Sequence, residues 1–298
     1  MIRLNFEEDF QVMRQIRKYL TQLCVILFIA GCGTTHATTN EDRPSTAQPE
    51  VSLLKEQLEM PGLNRKRQIR LYLPPGYANS DKRYPVLYMH DGQNLFDDAT
   101  AYAGEWHVDE TLNALARSGK LELIVVGIDN GGEKRMTELN PWSNPQFGAP
   151  EGKEYMAFVV NVLKPLIDKE YRTKADRANT AIMGSSMGGL ISHYAIIQYP
   201  TVFSKAGIFS PAYWTAAPSF DYFAANPAAK DARLYFVAGE QEGGGMVPDV
   251  KKVFASIKKA DKPNFNASLK IVPGAKHNEA FWSSEFEQAV LWLFAVNK

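Results

Sequence analysis

Residues 181–195 read "AIMGSSMGGLISHYA". Three apolar residues run into a glycine- and serine-rich joint, and an apolar-periodic stretch follows directly. Such a pattern reads as a buried strand, a sharp turn and a buried helix. Within the joint, Gly184-Ser185-Ser186-Met187-Gly188 fits Gly-x-Ser-x-Gly with Ser186 in the middle. A serine on a strand-to-helix elbow sits in a strained conformation, and glycines two before and two after it relieve the crowding. The helix that follows aims its free N–H groups at that serine. Ser186 is therefore the expected nucleophile, and Ser185, which lacks the spacing, a structural neighbour.

The same alternation extends along the chain. Strand patterns are expected at 67–74, 84–91, 122–129, 179–184, 203–210, 232–239 and 267–274. Helical patterns fall at 107–119, 153–171, 187–200, 248–260 and 283–296, with a kink expected from Pro165. Strands and helices in this order predict an α/β fold with a mainly parallel sheet and helices on both faces. Ligands of such sheets bind beyond the carboxyl ends of the strands.

A serine hydroxyl needs a base at neutral pH, and histidine fits best. Of the five histidines, His36 lies in a polar stretch, His107 opens a helix, and His193 sits on the helix after Ser186 as a packed residue. His90 ends an early strand. His277, in "VPGAKHNEAFW", alone leaves room for an acid between serine and histidine. That acid is expected after the strand at 232–239, where "AGEQEGGG" offers both Glu240 and Glu242. Its task is to hold the imidazole tautomer and stabilise the imidazolium. An oxyanion hole is expected from the backbone N–H groups of Met187 and of Gln93, where Gly92 lets the backbone approach. His90, Asp91 and Asn94 are expected to brace that loop. Trp142, Tyr213 and Trp214 are expected as an aromatic wall beside Ser186, or else as core aromatics.

With these residues in place, the chain from about residue 51 onward resembles the "Putative esterase" family, which includes esterase D and the enterochelin-esterase-like hydrolases. The resemblance rests on "YPVLYMHDGQNLFD", "RMTELNPW", "LKPLIDKEYRTKADRANTAIMGSSMGGLISHYA", "FSPAYW", "AGEQEG" and "GAKHNEAFW", in that order. It implies an α/β-hydrolase fold and cofactor-free, metal-free hydrolysis of esters by serine. It favours the acid three residues after Gly239, which is Glu242; an acid at 240 as well departs from commoner variants. Relatives act on siderophore lactones, feruloyl or acetyl sugar esters and S-formylglutathione, and some transfer acyl groups. An acyltransferase with the same triad, or a non-catalytic envelope binding protein, are the alternatives.

Ahead of this domain, Arg14, Arg17 and Lys18 precede "YLTQLCVILFIAGC", which has the length of a signal h-region. Its end, Ile29-Ala30-Gly31-Cys32, resembles a bacterial lipoprotein box. Residues 1–31 are thus expected as a lipoprotein signal peptide, with Cys32 the lipidated residue. A plain secretory signal and a retained anchor helix are the other readings, and the acidic residues at 7–9 suggest a start at Met13. Residues 32–50, polar and rich in Thr, Pro and Ser, are expected as a flexible tether to a domain at 51–298. This places the protein in the periplasm, anchored to a membrane, the outer membrane being favoured. The cysteines are Cys24 and Cys32 alone, so the processed chain would have no disulfide. Lys+Arg and Asp+Glu are both 33, which gives no bulk charge for a nucleic-acid partner. No protein partner is implied, and His and Cys show no metal-ligand spacing.

Overall fold

The computed structural model describes residues 43–260 and 266–294. The expected signal peptide at 1–31, the expected lipidation site Cys32 and the expected tether up to residue 42 lie outside the described residues. The remainder of the expected tether does not behave as one. Arg43 donates to Asp98 and to the Ala101 carbonyl, Ser45 and Thr46 bond to Asp97, Thr46 Oγ1 to Glu105, and the Gln48 N–H to Asp109. Composition suggested flexibility, but these polar side chains find partners on the domain. The ordered chain therefore starts at least eight residues before the boundary expected at 51.

Strands β1 (Val51–Leu53), β2 (Leu58–Met60), β3 (Arg65–Arg67), β4 (Ile69–Tyr72) and β5 (Val86–His90) come first, followed by helix α1 (Val108–Arg117) and β6 (Ile124–Ile128). Next come α2 (Arg135–Glu138), α3 (Gly152–Phe158) and α4 (Lys164–Glu170), the last two joined by a π-helical turn at Val159–Leu163. The carboxyl half adds β7 (Thr180–Ser185), α5 (Met187–Gln198), β8 (Lys205–Phe209), α6 (Pro218–Ala225), β9 (Arg233–Gly239), α7 (Met246–Ala260), β10 (Ala267–Val272) and α8 (Glu279–Phe294). The wide turn falls just before Pro165, whose missing N–H and bulky ring cannot fit a regular turn. The irregularity expected from that proline takes this form.

Eight strands make one sheet in the order β1-β4-β6-β5-β7-β8-β9-β10; β2 and β3 form a separate hairpin. From β6 to β10 every pairing is parallel, while β1–β4 and β4–β6 are antiparallel. The central strands are buried throughout, as a parallel sheet covered on both faces requires. Successive residues of a strand point to opposite faces. Accordingly Val86, Tyr88, Ile182 and Phe236 pack with the helices at 152–170, 187–198 and 246–260. Leu87, Met89, Ala181 and Val237 pack on the other face against α1 and α8. The carboxyl ends of β5, β7, β8 and β9 thereby meet at one edge, and the loops after them carry the residues read from sequence.

Candidate active site

Ser186 joins β7 to α5 with φ 57° and ψ −116°. That conformation is strained for a residue with a side chain, and the surroundings fix it. Its N–H bonds to the Phe209 carbonyl at 2.9 Å, and its own carbonyl accepts from Leu190 and Ala212. The neighbouring glycines are needed for space. A Cβ on Gly184 would lie 3.0 Å from Gly188 Cα and from His90 Cδ2, and one on Gly189 would lie 2.6 Å from the Phe209 carbonyl oxygen.

Glu242, beyond the end of β9, is fully buried as a side chain and meets His277 Nδ1 through Oε2 at 2.8 Å. A carboxylate only accepts, so Nδ1 carries a proton, and in the neutral imidazole Nε2 then keeps its lone pair. Glu242 Oε1 accepts from Ser210 Oγ and from the Gly239 N–H, both at 2.5 Å. Glu240 is exposed, and its carboxylate accepts the Gly274 N–H at 3.2 Å. His277 keeps about a third of its side chain exposed and stands edge-to-face on Trp282, with ring centroids 4.8 Å apart.

Two of the other described histidines, His90 and His193, are buried. Burial holds His90 down to about 4 and His193 down to about 3, so both are neutral at physiological pH. His90 bonds Tyr155 Oη at 2.7 Å, and His193 bonds Tyr213 Oη at 2.8 Å while stacking on Phe223. His193 is a core residue, as expected; His90, equally buried, sits at the end of β5 in the lining of the cleft that holds Ser186 and His277.

Ser186 and His277 open onto one cleft of about 670 Å³. Gln93 also lines it, from the single 3₁₀ turn at Gly92–Asn94. That turn uses the N–H groups of Asn94 and Leu95, and leaves the Gln93 N–H outside it. Met187 is the first residue of α5, so its N–H has no partner within the helix. Gly92 admits no side chain, since a Cβ would fall 2.7 Å from Asp129 Oδ1. Asp91 braces the loop, accepting from Asn130 Nδ2 at 2.7 Å and from two nitrogens of Arg135 at 2.6 and 2.9 Å. Burial works to raise the Asp91 pKa, but Arg135 and Asn130 outweigh it and hold the carboxyl below its usual range. Asn94 Oδ1 accepts the Tyr102 N–H, a bracing role as well.

The aromatic wall is not the expected one. Trp142, partly buried, packs edge-on against Tyr194, Tyr222 and Phe223 at the margin of the core, and Tyr213 is fully buried, the core placement that was the other expectation. Trp214 is exposed but meets Phe147, away from the cleft lining. The 3₁₀ turn after β8 carries Tyr213 inward and Trp214 outward, a choice that spacing does not reveal. Tyr102, Trp106 and Trp282 line the cleft instead, with Arg135 and Glu279. "EW" before α1 and "FW" after His277 were the available signals. A larger depression of about 1010 Å³ lies among Lys82, Lys205 and Arg233 at the amino ends of the strands, remote from these groups. Among the described residues, Glu105, His107 and Glu110 come close enough to share a metal ion, and none of them lines the cleft.

The "Putative esterase" family model matches residues 61–293. The "Uncharacterized protein YbbA" of Bacillus subtilis (strain 168) is 29% identical over 249 residues, covering 78% of this chain and 94% of that protein. The "Endo-1,4-beta-xylanase/feruloyl esterase" of Xylanibacter ruminicola is 25% identical over 75% of this chain, which spans only 29% of that protein. Among solved structures, an enterochelin esterase from Shigella flexneri superposes with a TM-score of 0.68 at 17% identity, covering 85% of this chain and 60% of that one. At that identity the likeness speaks for the α/β-hydrolase fold. The family match over most of the chain goes further: the chain belongs to the "Putative esterase" family and is a carboxylic ester hydrolase of the serine esterase class.

Proposed function

We propose that the chain hydrolyses neutral acyl esters through a Ser186–His277–Glu242 triad, with the N–H groups of Met187 and Gln93 as oxyanion hole. The observation that carries this is the fully buried Glu242 carboxylate, 2.8 Å from His277 Nδ1. His277 Nε2 takes the Ser186 proton as Oγ attacks the ester carbonyl carbon. The tetrahedral oxyanion accepts from the two N–H groups, and the imidazolium, stabilised by Glu242, gives its proton to the departing alkoxide. Water then enters by the same route in reverse and releases the acid.

The cleft lining favours an uncharged substrate. Asp91, Glu133 and Glu279 face it, and the guanidinium of Arg135 is already engaged by Asp91. A polyanion would gain no open cation among these, whereas Tyr102, Trp106 and Trp282 offer aromatic surface to an aryl acyl group. The names of a feruloyl esterase and an enterochelin esterase among similar proteins agree with an acyl ester, including a siderophore ester in its metal-free form. A panel of p-nitrophenyl acetate, methyl ferulate and a cyclic triscatecholate siderophore, metal-free and iron-loaded, tests this, with Ser186→Ala as blank. Hydrolysis of methyl ferulate in preference to the iron-loaded siderophore is expected; the reverse order contradicts an uncharged substrate.

For location, we propose a periplasmic protein held on a membrane, the outer membrane of a bacterium, by lipid on Cys32, processed after the signal at 1–31. Support comes from the small residues before Cys32 and the basic residues before the apolar run. Several acyl chains on one cysteine anchor stably where one does not. Cys32→Ser should shift the protein out of the membrane fraction or leave it unprocessed. Wild-type protein found wholly in the soluble fraction contradicts the anchor.

A further inference from the structure

Ser210, the residue after β8, is fully buried and holds a positive φ of 40°. Its N–H is fixed on the Val237 carbonyl at 2.7 Å. Its hydroxyl reaches Glu242 Oε1 at 2.5 Å, and the Trp282 indole reaches the same Ser210 Oγ at 2.9 Å. An indole N–H can only donate, so Ser210 Oγ accepts from it. The one hydroxyl proton is then directed to Glu242. The direction of the bond is thus set from Trp282 through Ser210 to the carboxylate.

We propose that Ser210 and Trp282 are positioning residues that fix the Glu242 carboxylate, and through it the His277 imidazole. This rests on the triad reading above. Glu242 Oε1 is held by two donors, Ser210 and the Gly239 N–H, which leaves Oε2 aimed at His277 Nδ1. Rotation of the carboxylate would swing Oε2 away, and the imidazole would lose its fixed tautomer and tilt. Trp282 also braces the imidazole directly, as the ring against which His277 stands. A strained, buried serine with one donor behind it and one acceptor ahead has a positional task that packing alone does not require.

Kinetics of Ser210→Ala, Trp282→Phe and the double variant test the relay, with thermal melts as a check on folding. Ser210→Ala should lower kcat about 10-fold with KM within twofold, because the loss falls on the transition state. Trp282→Phe keeps an aromatic ring beside His277 but loses the N–H together with the second ring, and should cost about 3-fold. Added to Ser210→Ala, it should cost less than it does alone, since the part carried by its N–H then has no hydroxyl to orient. Ser210→Gly, which tolerates positive φ better, must show the same kcat loss as Ser210→Ala. Additive losses in the double variant, or full kcat in either Ser210 variant, overturn the proposal. Glu242→Gln separates the two levels. If it is silent, the triad reading itself fails; if it is severe while the Ser210 variants are silent, the relay alone fails.

Discussion

Ser186 holds a backbone conformation that a side chain resists, and Gly184 and Gly189 have no room for a Cβ. The glycine spacing around Ser186 was legible in the order of the residues, whereas the groups that crowd it, His90 and the Phe209 carbonyl, come from other strands. The acid was less legible. Glu240 and Glu242 stand two residues apart in one glycine-rich turn, and spacing alone does not choose between them. The geometry differs sharply: Glu242 is enclosed against His277, Ser210 and Gly239, and Glu240 faces outward onto the Gly274 N–H. Glu242→Gln should therefore cut kcat by about 10⁴-fold, on the scale of amide replacement in other triads, while Glu240→Gln stays within about 3-fold. A severe Glu240→Gln beside a mild Glu242→Gln would move the acid upstream. The aromatic residues show the limit of reading at this scale. Whether Tyr213 or Trp214 faces a cleft depends on the rotation of one short turn, and Trp106 and Trp282 enter the site from elements far apart in sequence.

Helix α1 and the segment at 43–50 make one unit that the sequence concealed. The segment is polar and looks solvated, yet its partners are the carboxylates of Asp97, Glu105 and Asp109. Such polar docking leaves no periodic signal; hydrophobic alternation, which does, is why the sheet and its major helices were legible. The hairpin β2–β3 was missed for the same reason, being short and carrying Arg65, Lys66 and Arg67. The docking has a pH consequence. Burial, with the neighbouring Glu110 adding to it, pushes Asp109 up to about 8, while the Gln48 N–H works against the rise. The folded state then keeps a proton that the unfolded chain releases near pH 4. Stability contributed here is lost as pH rises from about 4 through about 8. Asp109→Asn should melt with wild type at pH 3.5, below both pKa values, and increasingly above it up to pH 8.5. An equal offset at pH 3.5 and pH 8.5 would mean that the ionisation of Asp109 does not matter. Neutral, buried His90 and His193 act in the opposite sense, costing stability as pH falls below about 6.5 toward their lowered values.

Across the whole molecule, the sheet is the device that assembles the site. Its parallel strands all end at one edge, so turns after β5, β7, β8 and β9 and the loop before α8 deliver Gln93, Ser186, Ser210, Glu242 and His277 to the same place. Alternating strand and helix patterns foretold that convergence, because a covered parallel sheet is what such alternation builds. The exact neighbours within the cleft were not legible, since they depend on loops whose course is set by tertiary contacts such as Asp91 with Arg135. The central claim is that this convergence makes Ser186 a nucleophile. Intact-mass measurement after treatment with a fluorophosphonate tests it most directly. One phosphonyl adduct is expected on the wild-type chain, mapping to Ser186 and absent from Ser186→Ala, with Ser185→Ala still labelled. An adduct that persists in Ser186→Ala, or a wild-type chain that hydrolyses esters yet takes no label, would contradict it.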